Sequence, residues 1–487
     1  MTRVDRGPTY LGLDLGTTNI KAHVVAEDGT VLSTGAAVVD VRFGPDGSAE
    51  QDMEQIWARA KEAVRQAIRS VDASRVAALG VSSQAGALQV LDSAGRCLGS
   101  IIGWQDSRGA PWDRAMTARL GMDWFSRHSG TPRSFLTVGQ ILRLHEQRAL
   151  PTDFQVGWVG DVIVGRLCGR RAHDVTSLSE AGLCNPAEGR EDGELLALLG
   201  IERRQIPDLV DATKPAGRLL PDVAHGLGLP PAIPVGPAVH DQYAAATGCG
   251  VVRSGDAMLG AGTAWALLAL AATLEPPAGP IGIAGRHVVP GVFGQLLTMV
   301  NGGACVAWAL QALGKGALSV KETDALIHGA PAGSGGLRFR PLLSPLGGAG
   351  LGGEAAGRLD GLRLSHTPGH ILRSLVEGLA CELRRYMGFL DQRNGAVERL
   401  VMSGKAAASS VTPGIIADTI ALPVDCVAVP DVSSLGAAVL ARALVEPGAG
   451  AAELADAMKP RVARIEPGPG RAEAQARFEE YVRSVRG

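Results

Sequence analysis

Two short stretches carry carboxylates and hydroxyls in a pattern suited to phosphate chemistry. The first is Asp14-Leu15-Gly16-Thr17-Thr18-Asn19-Ile20-Lys21. It separates two apolar β-like runs, at 10–13 and 20–25, and Asp28-Gly29 then marks a hairpin turn. The stretch therefore reads as a tight turn between strands. Backbone N–H groups in such a turn form an anion-binding concavity, and Gly16 lets a ligand approach the main chain. Thr17 and Thr18 add hydroxyl donors. Asp14 suits a Mg2+ ion held largely through water, because Mg2+ prefers oxygen ligands and keeps part of its hydration. An ordinary hairpin with an Asx turn accounts for the same residues without a ligand.

The second stretch is Val239-His240-Asp241-Gln242, which follows the apolar, Pro-rich run at 230–239. An acid at such a strand end can accept a proton from a substrate hydroxyl. It can also cap a small-residue helix at 243–248. His240 reads as a packing or hydrogen-bonding residue rather than the base. Two further loops follow apolar strands: Ser82-Ser83-Gln84-Ala85-Gly86 and Gly103-Trp104-Gln105-Asp106-Ser107-Arg108. Trp104, Gln84 and Asp106 suit a polyhydroxylated ligand, whose hydroxyls need paired donors and acceptors and whose C–H face suits an aromatic. A surface loop with an Asp–Arg pair explains the second of them equally well.

Positioning these residues requires a frame. In the first half, strand-like and helix-like segments alternate: a helix at 56–71 and strands at 76–82 and 88–91. Such alternation points to an α/β fold. The opening pattern then recurs without its acid, as a strand at 256–259, the turn Gly260-Ala261-Gly262-Thr263 and a strand at 264–270. Two copies of one hairpin imply two related domains facing each other across a cleft, with the boundary within 238–255. Residues 1–245 form the first domain in this reading, 246–446 the second, and 447–487 a peripheral tail ending in a charged helix near 472–485. Between them lie a glycine-rich loop at 342–357, a helix at 368–392 and a strand at 400–402 entering Ser403-Gly404-Lys405-Ala406. A helix at 411–420, a strand at 424–429 and a helix at 435–444 follow.

Composition excludes several classes. The chain has 487 residues, 46% hydrophobic and 20% charged, with a formal net charge of -2. That gives no reason to expect nucleic acid or an anionic membrane as partner. The uncharged run at 257–274 is nearly long enough to span a bilayer, but it lacks a basic flank or a second span and reads as buried strands. Seven scattered cysteines without a CxxC or Cys/His cluster fit reduced thiols in a cytoplasmic protein. No Walker A, GxSxG, HExxH or EF-hand pattern is present. The GxGxxG match at 348–353 follows no convincing strand and opens no clear helix, so it is not a dinucleotide site.

Taken in order, these motifs resemble the FGGY family of carbohydrate kinases, within the actin, Hsp70 and sugar-kinase fold group. DLGTTNIK at 14–21, Glu50-Gln51-Asp52 with Trp57, GWQDSR at 103–108, HDQ at 240–242 and GAGT at 260–263 carry the likeness. Gly302-Gly303-Ala304 with Trp308, the stretch at 357–378, SGKAAAS at 403–409 and Gly436-Ala437-Ala438 complete it. The resemblance implies two RNase H-like domains with ATP and a sugar meeting between them. It implies Asp241 as general base, sharing the Mg2+ environment with Asp14. It implies Gly16, Thr17, Thr18, Asn19, Lys21, Gly262 and Thr263 at the phosphates, and Gly303, Gly404, Lys405 and Ala406 at the adenosine. Gln84, Ala85, Gly86, Trp104, Asp106, His240 and Asp241 would meet the substrate. A homodimer is compatible with it.

Departures concern the substrate. Xylulokinases carry Met-His, and glycerol kinases Arg-Glu, where this chain has Ala85-Gly86, which reads either as room for a different or larger polyol or as lost affinity. The GERxP-like loop of many relatives is replaced at 346–354. The expected reaction is phosphorylation of a primary hydroxyl on a small ketose or polyol, a pentulose such as D-xylulose first. Alternatives are a kinase for another polyol, sugar acid or heptulose, a nucleotide-gated binding protein, and a degenerate kinase.

Overall fold

The computed structural model describes residues 7–344, 356–391, 396–429 and 431–486. The replaced loop at 346–354 and the GxGxxG match lie outside them.

Alternation of apolar and small residues builds one sheet in each half of the chain. In the first, β1 (Thr9–Leu15), β2 (Asn19–Ala26) and β3 (Val31–Val38) form an antiparallel meander. Parallel strands β4 (Val76–Ser83) and β5 (Pro234–His240) extend it, giving the order β3-β2-β1-β4-β5. The short strands Ala172–His173 and Asp208–Leu209 lie beyond β5. β1 is buried throughout, as a strand covered on both faces must be.

The second sheet repeats the plan. Strands β6 (Asp256–Ala261), β7 (Trp265–Ala271) and β8 (Phe293–Met299) form the meander, and the parallel β9 (Arg399–Ser403) and β10 (Val424–Val427) follow. The order is β8-β7-β6-β9-β10. The single repeated hairpin in the sequence is thus part of a whole repeated RNase H-like sheet. The uncharged run at 257–274 holds β6 and β7, and no helix among the described residues is long and apolar enough to cross a membrane.

The tail adds a strand to the expected terminal helix. Val462–Ile465 pairs antiparallel with β10 and forms an edge of the second sheet. The helix Arg471–Arg486 packs on the long helix Pro368–Asp391, and its Tyr481 hydroxyl donates to the buried Glu382 at 2.8 Å. Residues 462–465 read Val-Ala-Arg-Ile and are mostly exposed, so their strand character comes from pairing rather than from burial.

Two small-residue helices join the lobes. α1 (Asp241–Gly248) leaves β5, and α2 (Val432–Ala443) packs against α1, β1 and β4. Their backbones touch: a Cβ on Gly436 would fall 1.7 Å from the Ala244 carbonyl oxygen. On the sheet side, a Cβ on Gly12 would fall 1.8 Å from the Ser434 carbonyl oxygen. Neither backbone can yield without moving a lobe. Gly436→Ala is therefore expected to destabilise the protein by about 3 kcal/mol or more, beyond ordinary overpacking. Gly414→Ala, on the helix Thr412–Ile420 with nothing within 4 Å, is the control and should be neutral or slightly stabilising. Denaturant unfolding of the two variants checks this.

Candidate active site

The carboxyl ends of β1, β4 and β5 lie side by side. Asp14 pairs with Ser82 across β1 and β4, and His240 pairs with Ser83 across β4 and β5. With β4 between them, the β1 and β5 backbones are about 10 Å apart. Asp14 at one strand end and Asp241 just past the other therefore converge over the end of β4. Ser82 Oγ donates to Asp14 Oδ1 at 2.7 Å, and among the described residues Oδ2 has no donor.

Burial raises Asp14 to about 7, the nearby Asp241 charge adds to this, and the Ser82 hydroxyl and Lys21 oppose it. Asp241 is raised to about 6 by burial, partly offset by hydrogen bonds from Gln242. Asp241 is the first residue of α1, and His240 holds the cap position. His240 Nε2 lies 3.1 Å from Asp241 Oδ1. Burial holds His240 down to about 3, so it is a neutral ring that lies against the carboxylate.

The first hairpin turn is tied to Gln51, Gln84 and Trp104. Thr17 Oγ1 donates to Gln84 Oε1 at 3.0 Å and accepts from Trp104 Nε1 at 3.0 Å. Gln51 Nε2 donates to the Thr17 carbonyl at 2.9 Å, and Gln84 Nε2 donates to Gln51 Oε1 at 3.0 Å. The Thr17 proton is thus already committed, whereas Thr18 and Asn19 stay exposed. The neighbouring Asp52 caps the helix Met53–Ile68 through Gln55 N–H at 2.8 Å. One three-residue segment therefore serves both site and fold.

Several sequence expectations change here. Gly86 does not open room: its φ of 71° favours glycine, and a Cβ there would lie 2.5 Å from Leu136 Cδ1 and 3.6 Å from Trp104 Cβ. The Leu136 side chain fills the space that a larger residue would need. Asp106 is not free for a ligand. Its carboxylate accepts from Ala49 N–H at 3.0 Å, from Gln140 Nε2 at 3.0 Å and from the Arg108 guanidinium, and its side chain is fully buried. It holds the loop that carries Trp104. Lys21 gives its ammonium to Asp431, a residue in the left-handed region at φ 64° just before α2.

Across the cleft, the second hairpin turn carries Gly262 and Thr263, both exposed. The helix Gly303–Ala312 begins on it: Gly303 N–H donates to the Gly262 carbonyl at 3.0 Å, and Ala304 N–H to the Thr263 carbonyl at 2.9 Å. A Cβ on Gly404 would fall 2.8 Å from the Ala261 carbonyl oxygen, so this residue leans on the same hairpin. Lys405 is exposed and Ala406 half-buried beside it. Gly262, Thr263, Gly303 and Gly404 thus form one contiguous wall. Ala85 is half-buried at the end of β4.

Two family models cover most of the chain. Residues 9–248 match the N-terminal domain of the FGGY family of carbohydrate kinases, and residues 257–444 match its C-terminal domain. The chain belongs to the FGGY family of carbohydrate kinases. A glycerol kinase of Alkalilimnicola ehrlichii is 29% identical, with 94% of each chain covered. A xylulose kinase of Escherichia coli is 26% identical, with 90% of each covered. Among solved structures, a xylulose kinase from Rhodospirillum rubrum superposes with a TM-score of 0.87 at 27% identity, covering 98% of each chain. This FGGY protein is accordingly a carbohydrate kinase with the two-domain α/β architecture of the sugar-kinase fold. Kinases of this kind use ATP as phosphate donor, generally with a divalent metal.

Ser82, Gln51 and Asp431 are site neighbours that sequence reading left without individual roles. Ser82 and Gln51 lay in stretches singled out there, whereas Asp431 had no local signal.

Proposed function

We propose that this FGGY kinase transfers the γ-phosphoryl group of ATP to a hydroxyl of a small ketose or polyol, with a pentulose such as D-xylulose as the first substrate to test. The observation that carries this reading is Asp241 at the strand end, raised to about 6 and held by a neutral His240 beside the second acid Asp14. A carboxylate near that value is ionised at neutral pH yet basic enough to accept a hydroxyl proton during transfer. The freed oxygen then attacks the γ-phosphorus in line, and the rest is positioning and charge stabilisation.

The residues also fit a hydrated Mg2+. Asp14 keeps one oxygen free, Asp241 faces it, and no group of three or more ligating side chains forms a closed cage among the described residues. Mg2+ is usually held this way, by one or two carboxylates with water and phosphate completing its shell. When bound, the ion supplies charge neutralisation at the phosphates. Gly16, Thr18 and Asn19 would hold phosphate oxygens from one lobe, with Gly262 and Thr263 opposite. Gly303, Gly404, Lys405 and Ala406 would line the adenosine. Thr17, Lys21 and Asp106 act through the contacts described above. The division between lobes falls near residue 245, within α1. Seven free cysteines agree with a cytoplasmic protein.

The sugar is read from relatives alone, since Ala85-Gly86 removes two side chains and Leu136 fills part of their space. A coupled ADP-release assay with Mg-ATP tests the reading on xylulose, ribulose, glycerol, erythritol, xylitol, gluconate and sedoheptulose. One polyol should raise ADP release at least about tenfold over the rate without it. ATPase activity indifferent to every polyol would favour a nucleotide-gated binding protein. ATP binding with no turnover would favour a degenerate kinase.

A further inference from the structure

The polar side chains that would meet a polyol on the first-lobe wall are engaged with one another. The Trp104 indole N–H is given to Thr17 Oγ1, and the Thr17 hydroxyl to Gln84 Oε1. Gln84 and Gln51 continue this network and are only 3% and 1% exposed, so neither amide reaches a ligand. The Asp106 side chain is fully buried. The side chains left half-buried around Gly86 are Ala85, Trp104 and Leu136. They lie close to the reacting centre. Gly86 follows Ser83 by three residues, at most about 10 Å of chain, and Ser83 pairs with His240 beside Asp241.

Leu136 is held there against its own backbone preference. It stands at φ 53°, ψ -106°, a region that a bulky side chain rarely enters. Strain of this kind persists only where the surroundings fix it, and it gathers at ligand sites. Here Asp113 Oδ1 accepts from Ser134 Oγ at 2.6 Å and from Gly139 N–H at 2.9 Å, which pins the chain on both sides of Leu136. Leu136 Cδ1 is thereby set over Gly86, 2.5 Å from where a Cβ would stand. A glycine at 136 would relieve the strain. The leucine instead keeps this part of the wall apolar.

We propose that Leu136 is a specificity-determining residue, and that the substrate is a ketose or polyol with a methyl or methylene group, in place of a hydroxyl-bearing carbon, where it packs on Trp104 and Leu136. This rests on the placement of the polyol at Asp241 argued above. A hydroxyl at that point would lose its water and gain no partner, whereas a C–H group buries apolar area. An apolar pocket rejects one added hydroxyl by up to about 10²-fold.

Titration calorimetry on the full chain, with Mg2+ and a non-hydrolysable ATP analogue, tests this. Three pairs of probes differ by one terminal hydroxyl: propane-1,2-diol and glycerol, butane-1,2,3-triol and erythritol, 1-deoxy-D-xylulose and D-xylulose. In at least one pair the deoxy member should bind at least tenfold more tightly. Leu136→Asn offers an amide to the hydroxyl, and Leu136→Gly opens the spot to water while relieving the backbone. Each should bring the two Kd values of that pair to within about threefold of each other. Partial unfolding lowers the fraction of binding-competent protein for both members alike, so a merely structural role for Leu136 would leave the ratio of Kd values where it was. Hydroxylated members binding as tightly as their deoxy partners would overturn the proposal. So would a ratio unchanged in either folded variant, or silence from every probe. Absence of phosphoryl transfer would overturn the kinase reading instead and leave these affinities standing.

Discussion

Asp241→Asn should lower kcat/KM for the polyol by about 10²–10⁴-fold and leave ATP binding within a few-fold of the original. That range is the usual contribution of a positioned general base. The substitution keeps the side-chain shape and the contact with His240 Nε2, so the loss falls on proton acceptance. Because Asp241 titrates at about 6, activity of the unaltered enzyme should fall on the acid side as the pH drops through about 6. Steady-state ADP release between pH 5 and 8 measures both effects. An Asn variant that retained activity within tenfold would remove Asp241 as the base.

Replacing Asp14 by Asn should have two separable consequences. Turnover should fall by about 10²-fold or more, since a preorganised charge beside the phosphates is lost. Stability of the metal-free protein should move the other way, by an amount that depends on pH. The folded carboxyl of Asp14 stands at about 7 against an ordinary 3.8. A raised acid stabilises the fold below its unfolded value, and that contribution is lost as pH rises through the folded value. Between about pH 4 and 7 the unfolded chain ionises Asp14 more readily than the folded one does. At pH 8 the unaltered protein carries the full cost of a buried charge near Asp241, and the Asn variant does not. Its Tm at pH 8 should therefore be higher by about 2 °C or more, with the two proteins converging near pH 4. A Tm gap equal at both pH values would show that Asp14 is not held up by burial.

Much of this architecture was legible because its signals are local. The hairpin at Asp14–Ile20 and its echo at Ala261–Trp265 share one pattern of apolar strand, glycine and threonine turn, and apolar strand. That pattern is fixed by chain geometry within a dozen residues. The strand-end position of Asp241 was likewise readable from the Pro-rich run before it. Other features depend on partners far away in sequence. Ser82 meets Asp14 across 68 positions, and Lys21 meets Asp431 across 410. Nothing near Lys21 announces that its charge is taken. Ala85-Gly86 read as empty space because sequence shows a missing side chain but not the Leu136 that fills the gap. The edge strand Val462–Ile465 escaped notice because an exposed strand has no burial pattern to display. Asp106 carried a motif that fits sugar recognition, and only the hydrogen bonds from Ala49, Arg108 and Gln140 show it holding the loop instead.

The most direct measurement follows the phosphorus itself. Mg-ATP and each polyol of the panel are incubated with the enzyme, and the products are read by ³¹P NMR. Phosphoryl transfer predicts, for at least one polyol, a new phosphate monoester formed in equal amount with ADP. Inorganic phosphate as the sole product, formed equally without any polyol, would contradict it.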